Sequence, residues 1–229
     1  MTKPNIYKIL ATFHKANPNI IIDGIDWYER AKKTCKIIAK DTGLNIRIVV
    51  GVVAALSPNN KWSKNIIDAQ NLCLTFVNSG NLDQVKVSTY GAMKRKALEI
   101  LEIAHTYQSS RRGGNKLNMQ VIEILNGQKI TAFYECIMGE DSCCIDGHAK
   151  NIYYGKRYNL TDPKTNVTKK EFRVISEAYR EATRVINEVH GTDYKAYHVQ
   201  AITWTQWRIE HGISSVSYTH LRAHETVLD

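Results

Sequence analysis

With 43% hydrophobic and 23% charged residues, the 229-residue chain has enough apolar material for a core of its own, which excludes a disordered tail or a low-complexity linker. Lys and Arg outnumber Asp and Glu by 31 to 22, and a net charge of +9 suits either a polyanionic partner such as nucleic acid or a solvated basic face kept for solubility. Five cysteines with no C-x-x-C pair signal neither a disulfide framework nor a zinc site, and no run reaches the roughly 18 apolar residues of a membrane span.

Almost every periodic segment reads as helix. Ile6, Ile9, Leu10, Phe13 and His14 follow helical spacing, stopped by Asn17-Pro18, and a second helix runs from about Asp26 through Lys40. The run IRIVVGVVAAL at 46–56 is rich in β-branched residues, yet its length and small residues favour a buried helix over a strand. Ser57-Pro58-Asn59-Asn60 is turn chemistry, followed by a helix over Ile66 to Phe76. YGAMKRKALEILEIAHTY predicts one helix to about Tyr107, and RRGGN a loop.

Met119 to Leu125 and Ile130 to Met138 are predicted helices joined by an Asn126-Gly127-Gln128 hairpin. A polar loop, NLTDPKTNVT, leads to a capping box at Thr168 and Glu171. The helix it opens carries Phe172, Ile175, Tyr179, Ala182, Ile186 and Val189 on one stripe. A last helix spans about Tyr194 to His211, and in it Trp204 and Trp207, three apart, read as core packing rather than a stacking platform. The expected fold is all-α, in one domain over 1–215. Residues Val216 to Thr226, VSYTHLRAHET, look like a transposase-library sequencing adapter read in codons. The native chain is therefore expected to end near Ser215, and His220 and His224 carry no functional weight.

The stretch DSCCIDGHAKNIYYG poses the main chemical question. An apolar run meets Asp146-Gly147-His148 where an amphipathic helix begins. Asp is a preferred helix N-cap, for about 1 kcal/mol, and a carboxylate held at a helix start beside a basic surface also suits catalysis; the motif alone allows both.

Four blocks in one order carry a resemblance. VVGVVAALSPNNKWSKNIIDAQNL, YGAMKRKALEIL, LNGQKITAFYECI and CIDGHAKNI, over residues 46 to 152, resemble helix-hairpin-helix DNA glycosylases of the endonuclease III type. The resemblance implies a two-lobed helical fold with a cleft between the lobes and a degenerate helix-hairpin-helix. It also implies a base-processing activity on double-stranded DNA with Asp146 as the catalytic carboxylate. Lys129 stands near the place where bifunctional relatives keep a Schiff-base lysine, and equally suits a solvent or phosphate lysine. Asn59, Asn60 and Trp62 are candidates to fill the space of an extruded base, with Lys61 beside them. Gly127, Gln128 and His148 are expected at the DNA as well.

From charge alone, Lys94 and Lys96 are expected phosphate contacts, with Arg111, Arg112 and Lys116 a second basic cluster. The hairpin keeps one glycine where that family has Gly-x-Gly, and no four-cysteine iron-sulfur loop follows. No metal or cofactor is expected, the protein is expected to act as a monomer, and the absence of a signal peptide or membrane span gives a cytoplasmic expectation. The same fold also serves phage enzymes that elaborate hypermodified thymines by group transfer, and a non-catalytic DNA-binding module is a third reading.

Overall fold

The computed structural model describes residues 5–107 and 114–213. In chain order the helices are α1 (Tyr7–His14), α2 (Pro18–Thr42), α3 (Ile46–Leu56), α4 (Trp62–Val77), α5 (Gly91–Glu102), α6 (Ala104–Tyr107), α7 (Gly114–Leu125), α8 (Gln128–Met138), α9 (Gly147–Tyr154), α10 (Lys169–His190) and α11 (Ala196–Glu210). Two short 3₁₀ turns, Leu82–Gln84 and Pro163–Thr165, complete an all-α fold with no strand among the described residues. None of the described helices is long and apolar enough to cross a membrane. The chain divides into two compact units, one from the residues up to Trp27 together with those from Asp141 onward, the other Tyr28–Glu140.

The Tyr28–Glu140 unit is organised around α3, nine of whose eleven residues are buried. A helix apolar all round must be enclosed, and α4, α5, α7 and α8 pack on it. Gly51 makes that approach possible: a Cβ there would lie 2.8 Å from Val121 Cγ1 on α7. The β-branched run is therefore a helix because enclosure outweighs a propensity difference of a few tenths of a kcal/mol per residue. Two boundaries differ from the sequence expectation. The predicted single helix to Tyr107 is divided at Ile103. Helix α7 starts at Gly114 rather than near Met119, because Leu117 joins Val121 and Leu125 on the buried stripe.

The other unit packs α1, α9, α10, α11 and the start of α2 around Ile9, Ile145, Ile152, Tyr179, Ile186 and Ile202. Helix α2 begins at Pro18, not near Asp26. Asn17 Oδ1 accepts the Ile20 N–H at 3.0 Å, and Pro18 sits at the first helical position, where a missing N–H costs nothing. The residues that end α1 thus start α2. On α10 the predicted stripe is buried at Ile175, Tyr179, Ala182 and Ile186, but Val189 is exposed as the helix runs past the core.

The capping box forms as expected: Thr168 Oγ1 accepts the Glu171 N–H at 3.2 Å, and Glu171 Oε2 accepts the Thr168 N–H at 2.9 Å. Lys150 Nζ lies 2.8 Å from Glu171 Oε1. Hydrogen bonding from Lys150 first, then from Thr168, holds the Glu171 carboxyl at about 2 against an ordinary 4.5. A depressed carboxylate stabilises the fold above its unfolded value and loses that contribution as pH falls. With solvent screening the contribution is on the order of 1 kcal/mol. Glu171→Gln should therefore melt lower than the parent at pH 7, with the gap in thermal melts closing as pH falls from about 4.5 toward 2. A gap independent of pH would remove the Lys150 pair from the fold's acid sensitivity.

Candidate functional site

Ile145 is fully buried and Cys143 nearly so, which anchors the segment that leads into α9. Burial drives the Cys143 thiol well above its ordinary range, away from the thiolate form. The chain then places Asp146 at the N-cap of α9, half-exposed, with extended backbone. Its Oδ1 accepts the Ala149 N–H at 2.8 Å. Its Oδ2 accepts the indole Nε1–H of Trp204 at 3.2 Å. Both oxygens are oriented, one by the helix it caps and one by a residue 58 positions away.

Trp204 belongs to this site, against the expectation of core packing; Trp207, one turn on, is the buried member of the pair. The Arg208 guanidinium lies over the Trp204 ring at 4.2 Å, a cation–π contact on one face of the indole. His148, 6% exposed, meets the same ring edge-on at 6.1 Å. Gly147 is required by space: a Cβ there would lie 2.8 Å from Leu160 Cδ2 and 3.1 Å from Thr165 Cβ. The loop after α9 therefore folds back on the helix start that carries Asp146. Tyr179 and Thr203, hydrogen-bonded at 3.2 Å and buried, sit in the core of the same unit.

The remaining candidates lie in the Tyr28–Glu140 unit. The Ser57–Asn60 turn is clamped: Asn60 Nδ2 donates to Leu56 O and to Asp68 Oδ2, each at 3.2 Å, and Thr89 Oγ1 donates to Pro58 O at 2.6 Å. Asp68, buried, also accepts the Ser88 N–H at 2.7 Å. Asn60 is thus a structural amide of the turn. Its neighbour Asn59 is exposed with a left-handed φ of 54°, and Lys61 is exposed at the N-cap of α4. Trp62, half-buried, packs edge-on against Phe133 of α8 at 6.4 Å.

Helices α7 and α8 are joined by Asn126 and Gly127 alone, Asn126 taking a left-handed φ of 38° to make the turn. Gly127 is the N-cap of α8 and offers no side-chain cap, and Gln128 and Lys129 are exposed in the first turn. Lys94 Nζ donates to Asp83 O at 3.0 Å. Lys96 Nζ donates to Ile124 O and Leu125 O, both at 2.8 Å, closing the C-terminus of α7 just before the turn. Arg111, Arg112 and the Val216–Thr226 segment lie outside the described residues. Among the described residues no group of three or more His, Cys, Asp or Glu is placed to hold a metal ion.

Lys96→Met keeps the aliphatic stem and removes two charge-assisted bonds, at about 1–2 kcal/mol. The variant should melt roughly 3–6 °C below the parent and leave the salt dependence of any DNA affinity unchanged. An altered salt slope would show that Lys96 contacts phosphate.

A family model described as "Family of unknown function (DUF7178)" matches residues 2–211. No curated protein matches the chain, and no solved structure matches it.

Proposed function

Because the chain belongs to this family of unknown function, we propose an activity from its own residues: it is a base-processing enzyme acting on DNA, with a helix-hairpin-helix glycosylase-like plan and Asp146 as the catalytic carboxylate. The observation that carries this reading is the double hold on Asp146, Oδ1 on Ala149 N–H and Oδ2 on Trp204 Nε1–H, with the side chain half-exposed at a helix start. A cap alone uses one oxygen. Fixing the second with an indole from α11 preorganises a negative charge, which is what a reaction building positive charge on a sugar needs. The four sequence blocks that resemble the glycosylases supply the substrate class, and the net charge of +9 supplies affinity for phosphate.

Extrusion of a base costs a few kcal/mol and calls for side chains to fill the vacated space. Asn59, exposed at the tip of a clamped turn, fits that task, while Asn60 holds the turn. Lys61, Gln128 and Lys129 are exposed at helix starts that suit phosphate. The test is incubation of the full chain with a panel of duplexes bearing modified bases, followed by mass spectrometry of the strands. Base loss identifies hydrolysis and a mass gain identifies group transfer to the base. An unchanged panel with DNA bound would leave the chain a binding module and remove the catalytic reading.

A further inference from the structure

Between residues 150 and 173 the chain carries seven Lys and Arg against two carboxylates, so this short segment supplies more than half of the molecule's excess charge. Its cations are spread among polar loop residues rather than clustered in sequence. The structure draws part of them into one surface. Lys8 of α1 lies across Gly155, its side-chain carbons 2.9–3.3 Å from where a Cβ would stand, and its ammonium reaches over the Tyr7 ring at 5.5 Å. Tyr154, beside that glycine, is 47% exposed, and Tyr7 is 70% exposed. Lys156 and Arg157 follow, both exposed and neither in an ion pair among the described residues. Further along α10 the pattern reverses, with Arg184 held between Glu181 and Glu188. Lys156 and Arg157 have no such partner among the described residues, whereas Lys150 of the same segment pairs with Glu171, whose Oε1 also accepts the Tyr154 hydroxyl at 3.5 Å; Lys164 Nζ lies over the Tyr158 ring at 5.1 Å.

We propose that this surface, Tyr7, Lys8, Tyr154, Lys156, Arg157 and Lys164, binds a nucleic-acid strand with unpaired bases, its phosphates on the cations and its bases stacked on the exposed tyrosine rings. Unpaired cations interleaved with exposed aromatic faces are what a single strand needs, since each base offers a face and each nucleotide a charge. The loop that presents them is built. Asn151 Nδ2 donates to Tyr158 O at 2.9 Å, Thr165 Oγ1 to Asp162 O at 2.7 Å, and Lys150 Nζ to Asn166 O at 2.6 Å.

The same loop rests on Gly147, next to Asp146, through Leu160 and Thr165, so the segment that leaves the C-terminal end of α9 packs back against the helix start that carries the carboxylate. Those two ends are about 12 Å apart along an eight-residue helix. A strand held there is delivered to Asp146. The strand's purpose rests on the proposed base chemistry; the surface itself does not.

The experiment is fluorescence anisotropy of the full chain with labelled oligothymidylate across a salt series. The double variant Lys156→Ala/Arg157→Ala should bind roughly tenfold or more weakly at low salt, with the slope of log K against log salt shallower by about 1.4, or 0.7 for each phosphate contact. Tyr154→Leu should bind roughly tenfold more weakly with the slope unchanged, because stacking carries no counterion. Lys33→Ala/Lys36→Ala, exposed on α2, should match the parent in both. Thermal melts of the Lys and Arg variants should equal the parent's, since the changed side chains are exposed, and Tyr154→Leu should melt within a few degrees of it, having lost its contacts to Tyr153 and Glu171.

Failure of the parent to bind, or parental binding and slope in the Lys156/Arg157 variant, overturns the proposal. So does oligothymidylate binding that survives in that variant while its binding to phosphatidylserine vesicles is lost, which would assign the surface to a membrane. Oligothymidylate bound as predicted, with no base altered in any duplex, condemns the Asp146 reading and leaves the surface standing. Altered bases with parental binding in the variant do the reverse.

Discussion

Asp146→Asn is expected to lower turnover on a duplex the parent processes by on the order of a hundredfold or more, the effect of removing one preorganised electrostatic group. It should also cost stability, because the site has two N–H donors and an asparagine has one oxygen. If its Oδ1 keeps the Ala149 N–H, its Nδ2 faces the Trp204 Nε1–H; if the amide turns over, the cap is lost instead. Either arrangement sets donor against donor, at about 1–2 kcal/mol, so the melting temperature should fall on the order of 5 °C.

Trp204→Phe separates the two effects, since it removes the competing donor. Added to Asp146→Asn, it should recover part of the lost stability and none of the activity, a non-additivity that contact between the two residues predicts. Trp204→Phe alone leaves the carboxylate charge in place with one oxygen unheld. Its turnover should fall less than that of Asp146→Asn, and the difference measures what orientation adds to charge. Full activity in Asp146→Asn would make the aspartate a cap and nothing more.

The cap on Asp146 is legible in the sequence and its second partner is not, because a motif of four residues shows only the near partner. Asp146 and Ala149 are three apart, and the capping box of Thr168 and Glu171 is equally local; both are legible from spacing alone. Trp204 is 58 residues from Asp146, and helical periodicity places it one turn from Trp207 without saying which of the two lines a site. The carbonyls that Lys96 serves were hidden for the same reason, since they lie 28 and 29 residues on. Clustered charge points to phosphate, and spacing alone does not show the helix end that Lys96 also closes.

The start of α2 was hidden differently: Asn17-Pro18 punctuates in both directions, ending one helix and opening the next. By contrast the all-α class was legible throughout, because enclosure of a run such as 46–56 is written in its composition. The cations of 156–164 are legible in the sequence, but only the fold shows that Lys8 joins them and that Gly147 seats their loop beside Asp146.

Gly24→Ala should be the most damaging single methyl in the unit that holds Asp146. In an exposed helix interior the change stabilises by up to about 1 kcal/mol, because alanine restricts the unfolded chain and favours helix. Here the added Cβ would stand 2.5 Å from Ile202 Cγ1, 2.6 Å from Ile202 Cα and 2.7 Å from Ile202 N. A side chain can rotate away, but backbone cannot, so α2 and α11 must separate by roughly an ångström and give up packing around a fully buried Ile202. A net loss of about 3 kcal/mol is expected, lowering the melting temperature by roughly 6–12 °C.

Two controls locate the cause. Gly91→Ala, at the start of α5 with no atom within 4 Å of its Cβ, should melt within about a degree or two of the parent. Trimming the neighbour in Gly24→Ala/Ile202→Ala should bring no recovery, because two of the three close atoms are main chain. The displacement should reach function as well, since Trp204 follows Ile202 by two residues on α11 and any shift of that helix draws the indole from Asp146 Oδ2. A Gly24→Ala variant that melts at or above the parent would show that the two helices are not in backbone contact, and with that the rigid placement of Trp204 would lose its support.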